Sequence, residues 1–129
     1  MSGRRYLLDT NAIIQLLKGN RELSGILSRA DFVATSVVCE MEFLSFDKLP
    51  EQDAILFSDL KSDIVVYGIS ADDPLLVKMT VDARTRFKLK LPDAIIAATA
   101  RLNNLTTLTA DDHFKPLEEP WSVRFFTPI

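Results

Sequence analysis

At 129 residues, 47% of them hydrophobic, and with no low-complexity stretch, the chain is the size of one globular domain with a sizeable core, expected to span 1–129. A formal net charge of -3 argues against capture of nucleic acid by the surface as a whole, though not against a local basic path. The single cysteine, Cys39, excludes an intrachain disulfide. The apolar run after Arg4-Arg5 is cut short by Asp9, which leaves no room there for a secretory h-region or a membrane span and points to a cytoplasmic protein.

Taken in chain order, residues 6–8 read as a short buried strand, after which Thr10 or Asn11 can cap a helix carrying Ile13, Ile14, Leu16 and Leu17 that stops at Gly19-Asn20. Residues 21–30 suit a second helix, and 32–35 a second strand. Ser36 is then the expected N-cap of a helix running to about residue 46. Leu49-Pro50 breaks the chain. Residues 50–60 read as a helix with Ile55, Leu56 and Leu60 facing inward, and 64–67 as a β-branched strand.

Asp73 as cap and Pro74 at the first helical position start the next helix, with Leu76, Met79, Ala83 and Phe87 on one stripe. Another helix begins near Pro92, carries Ile95, Ile96, Ala98 and Ala100, and ends at Asn103-Asn104. Residues 106–109 form a strand, 111–114 a short turn, and 123–126 a terminal strand. Strands separated by helices predict a parallel sheet covered on both faces.

Four acids stand out against this frame. Asp9 and Asp111 fall at strand ends, where open α/β sheets bind ligands. Asp93 lies in a first helical turn, where the helix dipole favours an anion. Glu42 sits nearly two turns into its helix between Met41 and Phe43-Leu44, apolar neighbours among which a carboxylate needs a partner. Singly, each acid suits a cap, a dipole pairing or a turn. Brought together they repel one another unless a cation is present, and hard ions such as Mg²⁺ or Mn²⁺ prefer such oxygen ligands while leaving room for water and substrate phosphate. Metal-dependent phosphodiester chemistry is the expectation.

The segments Leu8-Asp9-Thr10-Asn11, Ser36 with Glu42-Phe43-Leu44, Leu91-Pro92-Asp93-Ala94-Ile95-Ile96-Ala97-Ala98-Thr99-Ala100, and Leu108-Thr109-Ala110-Asp111 with Phe114 resemble the PIN-domain ribonucleases, specifically the VapC-type toxins, in order over nearly the whole chain. The third segment is the most specific. The resemblance implies a PIN-like three-layer α/β/α sandwich around a central, mainly parallel sheet. It implies an endoribonuclease that hydrolyses RNA with Mg²⁺ or Mn²⁺, the toxin of a type II toxin-antitoxin pair, held in check by a cognate antitoxin and forming a homodimer. Position by position it implies Asp9, Glu42, Asp93 and Asp111 as the catalytic quartet, with Asp9, Asp93 and Asp111 as metal ligands and Thr10, Asn11 and Thr109 supporting the pocket.

The chain also departs from that pattern. Many relatives carry a glycine just before the segment leading to the third acid, and Phe87-Lys88-Leu89 has none. Asp112 rivals Asp111 as the fourth acid, Glu40 is a weaker rival to Glu42, and His113 is given no catalytic role. Arg84, Arg86, Lys88 and Lys90 alternate just before Asp93 and would line one side of an extended segment as an RNA-phosphate path, although the same residues suit a solvated helix end and loop. A haloacid-dehalogenase-like phosphatase would need a second Asp where Asn11 stands, and a receiver domain would need paired acids and a late Lys. The non-enzymatic alternative is a PIN-like RNA-binding or protein-interaction module without cleavage, which has no use for four mutually repelling acids.

Overall fold

A computed structural model describes residues 3–129. Its strands are β1 (Arg5–Leu8), β2 (Phe32–Ser36), β3 (Val65–Tyr67), β4 (Thr106–Thr109) and β5 (Val123–Phe125). They form one sheet in the order β3-β2-β1-β4-β5, and every pairing is parallel. The helices are α1 (Thr10–Leu17), α2 (Arg21–Ser28), α3 (Val37–Leu44), α4 (Glu51–Asp63), α5 (Pro74–Phe87) and α6 (Leu91–Leu102). The architecture is the α/β/α arrangement expected of the sequence pattern.

β1 is the central strand, and Tyr6, Leu7 and Leu8 are all buried, as a parallel strand covered on both faces requires. Leu8 is in register with Thr35 on one side and Leu108 on the other. The chain leaves β1 toward β2 and β3, then crosses back through α5 and α6 to place β4 on the other flank. The order of strands therefore reverses between β1 and β4, which opens a crevice beyond their carboxyl ends.

The helices start where the sequence supplies caps. Ser36 accepts the Val38 N–H, Asn20 the Leu23 N–H and Asp73 the Leu76 N–H, each satisfying an N–H that the first turn leaves open. α6 buries Ala94, Ala97, Ala98 and Ala100, and these small side chains let α5 pack closely along it. Cys39 is buried on α3, its Sγ donating to the Leu8 carbonyl at 3.6 Å, and burial pushes its thiol up to about 11. Buried Asn20 also donates to the Thr127 carbonyl, and Gln15 accepts the Ile129 N–H, so α1 and α2 hold the last residues.

Several expectations are corrected. The cap of α1 is Asp9, whose carboxylate accepts the Ala12 N–H at 2.8 Å, because the chain is still extended there and turns helical only at Thr10. Ile55 is exposed and Phe57 is the buried anchor of α4, stacked 4.9 Å from Phe43. Met41 and Leu44, the apolar neighbours of Glu42, are exposed as well, so only Phe43 points inward.

Of the two readings of residues 84–90, the helix end followed by a loop is the one found: Arg84 and Arg86 belong to the last turn of α5, about 200° apart around its axis, and Lys90 alone of the four has an extended backbone. Arg86 pairs with Asp82 and lies over the Phe87 ring. Lys88 terminates α5 in the left-handed region at φ 60°, the position where a glycine is usual, and it does so without one.

Candidate active site

The crevice between β1 and β4 gathers the acids. Asp9, Glu42, Asp93 and Asp111 line one open cavity of about 260 Å³. Thr10 and Asn11 line it too, with Ile14, Phe46 and Ile96 as apolar walls. Each acid comes from a different segment: the end of β1, the second turn of α3, the first turn of α6, and the loop after β4. The two rivals lie elsewhere. Glu40 is ion-paired with Lys61 of α4, and Asp112 pairs with Lys115 on the surface.

Asp9 is the most enclosed of the four, at 3% exposure. One oxygen accepts from Ala12 and the other from the Thr109 hydroxyl, while Thr109 Oγ1 itself accepts the Asp111 N–H at 2.9 Å. Thr109 thus ties the first acid to the fourth. Burial pushes the Asp9 carboxyl up to about 7, against the lowering effect of those two hydrogen bonds, and the charges of Asp111 and Asp93 push the same way as burial. Asp93 is raised as well, by burial first and then by Asp111 and Glu42, with His113 and Lys90 opposing. Glu42 accepts a hydrogen bond on Oε1 from Thr10 Oγ1.

His113, given no catalytic role from the sequence, lies close to two of these acids. Among the described residues, one ligand atom from each of Asp93, Asp111 and His113 lies within 4.8 Å of the other two. Its position two residues after a site acid, inside a tight turn, was the available signal. Of the basic residues expected to approach RNA, Lys90 is the one whose charge bears on Asp93. Arg84 and Lys88 instead share a shallow hollow with Val81 and Thr85 on α5.

The model of the PIN domain family matches residues 6–119. This chain belongs to the PIN-domain family. Solved structures agree with that assignment. The PIN domain resembles a chain of a toxin-antitoxin complex from Klebsiella pneumoniae at 32% identity and a TM-score of 0.75, covering 96% of this chain and 98% of that one. VapBC-5 of Mycobacterium tuberculosis is similar at 25% identity and TM-score 0.65, over 95% of this chain and 97% of that one. VapBC2 of Rickettsia felis, bound to a promoter DNA fragment, shares the fold at 19% identity and TM-score 0.77, over 95% and 98%. No curated protein sequence is similar enough to count as a match.

PIN domains are generally nucleases that use divalent metals, and the residues of this PIN domain fit such an ion. Asn11 Oδ1 is buried at the cavity without a hydrogen-bond partner. An orphaned buried carbonyl oxygen has a cost that a cation removes. The carboxylates that line the same cavity offer the hard oxygen donors that such an ion prefers.

Proposed function

We propose that this PIN domain is a VapC-type toxin, an endoribonuclease that hydrolyses RNA phosphodiester bonds with Mg²⁺ or Mn²⁺ in the cytoplasm. The observation that carries this reading is the convergence of four carboxylates from four segments on one cavity. Asp9, Asp93 and Asp111 would hold the ion, and Asn11 lines the same cavity. A divalent cation there supplies charge compensation for the scissile phosphate and makes nearby water more acidic.

The chain's own groups do the rest. The Thr109 hydroxyl and the Ala12 N–H fix the Asp9 carboxylate in one orientation. Thr10 holds Glu42 by Oε1, which leaves Oε2 to accept a proton from the attacking water. Lys90, at the start of α6, offers a cation to a phosphate oxygen next to Asp93. Ile14, Phe46 and Ile96 form the apolar part of the cavity wall.

Two further surfaces suit the partners of such a toxin. Met41, Leu44 and Phe46 are exposed on α3 and just after it, and Phe46 also borders the acid cavity. An antitoxin segment lying on them would cover the site, and the Klebsiella relative is itself a toxin-antitoxin complex. Val77, Val81 and Leu91 are exposed beside an apolar groove of about 250 Å³ between α5 and α6, which suits a second copy of the chain in a homodimer.

The test is cleavage of total cellular RNA by purified protein, with and without EDTA, beside the Asp9→Asn variant. Cleavage that needs Mg²⁺ or Mn²⁺ and disappears in the variant is the expected result. Activity that survives EDTA or the variant would overturn the proposal.

A further inference from the structure

His113 has no part in the reaction outlined above, yet its ring stands beside two of the acids. Nδ1 lies 3.1 Å from Asp111 Oδ1. Ligands on neighbouring corners of an octahedron with bonds of about 2.1–2.2 Å are about 3.0 Å apart, so this spacing already suits two bonds to one ion. The third atom, from Asp93, is within 4.8 Å of both, near enough for all three to face one ion.

The position of the ring follows from the local fold. Asp111 caps the 3-10 turn Asp112–Phe114 by accepting the His113 N–H at 2.9 Å, and Phe114 is buried as the anchor of that turn. His113 is thereby turned back toward the carboxylate that precedes it. Its side chain is otherwise exposed, at 65%, so the contact is a pairing of ring nitrogen with carboxylate and not one of packing.

We propose that His113 is a nitrogen ligand to the divalent ion of this site and biases it from Mg²⁺ toward first-row transition ions; this rests on the reading that Asp93 and Asp111 hold such an ion. Oxygen-only donor sets suit Mg²⁺, whereas imidazole adds affinity for transition ions, in the order Mn²⁺ below Co²⁺ below Ni²⁺. Neutral imidazole is also among the commonest metal ligands in proteins.

The experiment uses metal-free protein and two readouts other than cleavage. Pulsed electron paramagnetic resonance of the Mn²⁺-loaded protein, in nitrogen-free buffer, is expected to show directly coordinated ¹⁴N in the wild type and none in His113→Ala or His113→Gln. Calorimetric titration is expected to show Co²⁺ affinity falling about tenfold in both variants while Mg²⁺ affinity changes less than about twofold. The Asp111 cap uses the backbone N–H of residue 113, so both variants keep the turn. Absence of ¹⁴N coupling in the wild type, or equal loss of Co²⁺ and Mg²⁺ affinity in the variants, overturns the proposal and leaves the nuclease reading standing. A wild type that binds none of these ions overturns both.

Discussion

Asp9 ends a strand, caps a helix and faces two other acids, and these roles separate under substitution. Asparagine keeps an oxygen for the Ala12 N–H but removes the charge. Asp9→Asn is therefore expected to lower cleavage by at least about 100-fold while leaving the circular dichroism spectrum unchanged. Asp9→Ala also loses the cap and is expected to cost about 1 kcal/mol more than Asn in urea unfolding. The raised carboxyls predict a pH dependence. Between the unfolded value near 4 and about 7 for Asp9, the native state binds more protons than the unfolded chain, so the metal-free protein becomes less stable as pH rises through that window. Raised Asp93 adds in the same direction. Urea unfolding in EDTA from pH 4.5 to 8 should show stability falling by about 1–3 kcal/mol, and Asp9→Asn should flatten the slope. Stability that climbs with pH over this interval would mean Asp9 is ionised throughout. Each acid taken alone read as a cap, a dipole pairing or a turn, and the quartet was legible only from the four in combination and from the resemblance to PIN-domain ribonucleases. Asp9 could be seen to end a strand, but that Thr109 reaches it across 100 positions could not, since no local pattern encodes a pairing between β1 and β4.

At the scale of elements, the strands and the polar caps at Ser36 and Asp73 were legible because each is written in residues next to one another. The facing of α4 was not. Ile55, Leu56, Phe57 and Leu60 offer more than one apolar stripe, and only tertiary packing against Phe43 selects Phe57. Phe57→Ala is accordingly expected to destabilise by about 3–5 kcal/mol and Ile55→Ala by no more than about 0.5 kcal/mol, measured by chemical denaturation. The basic stretch left two readings open for a related reason, since alternation lines one side only if the backbone is extended, and α5 continues through Arg86 to Phe87. Its end is informative in itself. Lys88 stands in a left-handed conformation that glycine adopts at less cost, so Lys88→Gly is expected to stabilise the fold by up to about 1 kcal/mol. If Lys88 also meets RNA, the same variant will bind substrate more weakly while melting higher, a pairing that a purely structural residue would not show.

For the whole molecule, the alternation of strands and helices was enough to foresee a parallel sheet, and strand ends were enough to place Asp9 and Asp111 at its working edge. Which surfaces meet other chains was not readable, because a helix stripe looks alike whether it faces the core or a partner. The exposed Val77, Val81 and Leu91 beside the α5-α6 groove are expected to hold two copies together, so Val81→Asp should shift the mass seen by light scattering from dimer to monomer without loss of helical signal. A wild type that runs as a monomer at micromolar concentration would remove that role. Cys39, sealed between α3 and the Leu8 carbonyl, gives the molecule a built-in clock. A sulfhydryl so enclosed and so reluctant to ionise is shielded from alkylating reagents until the helix lifts from the sheet, so the rate of iodoacetamide trapping in native buffer measures how often the fold breathes open, and occupancy of the acid cavity should slow it.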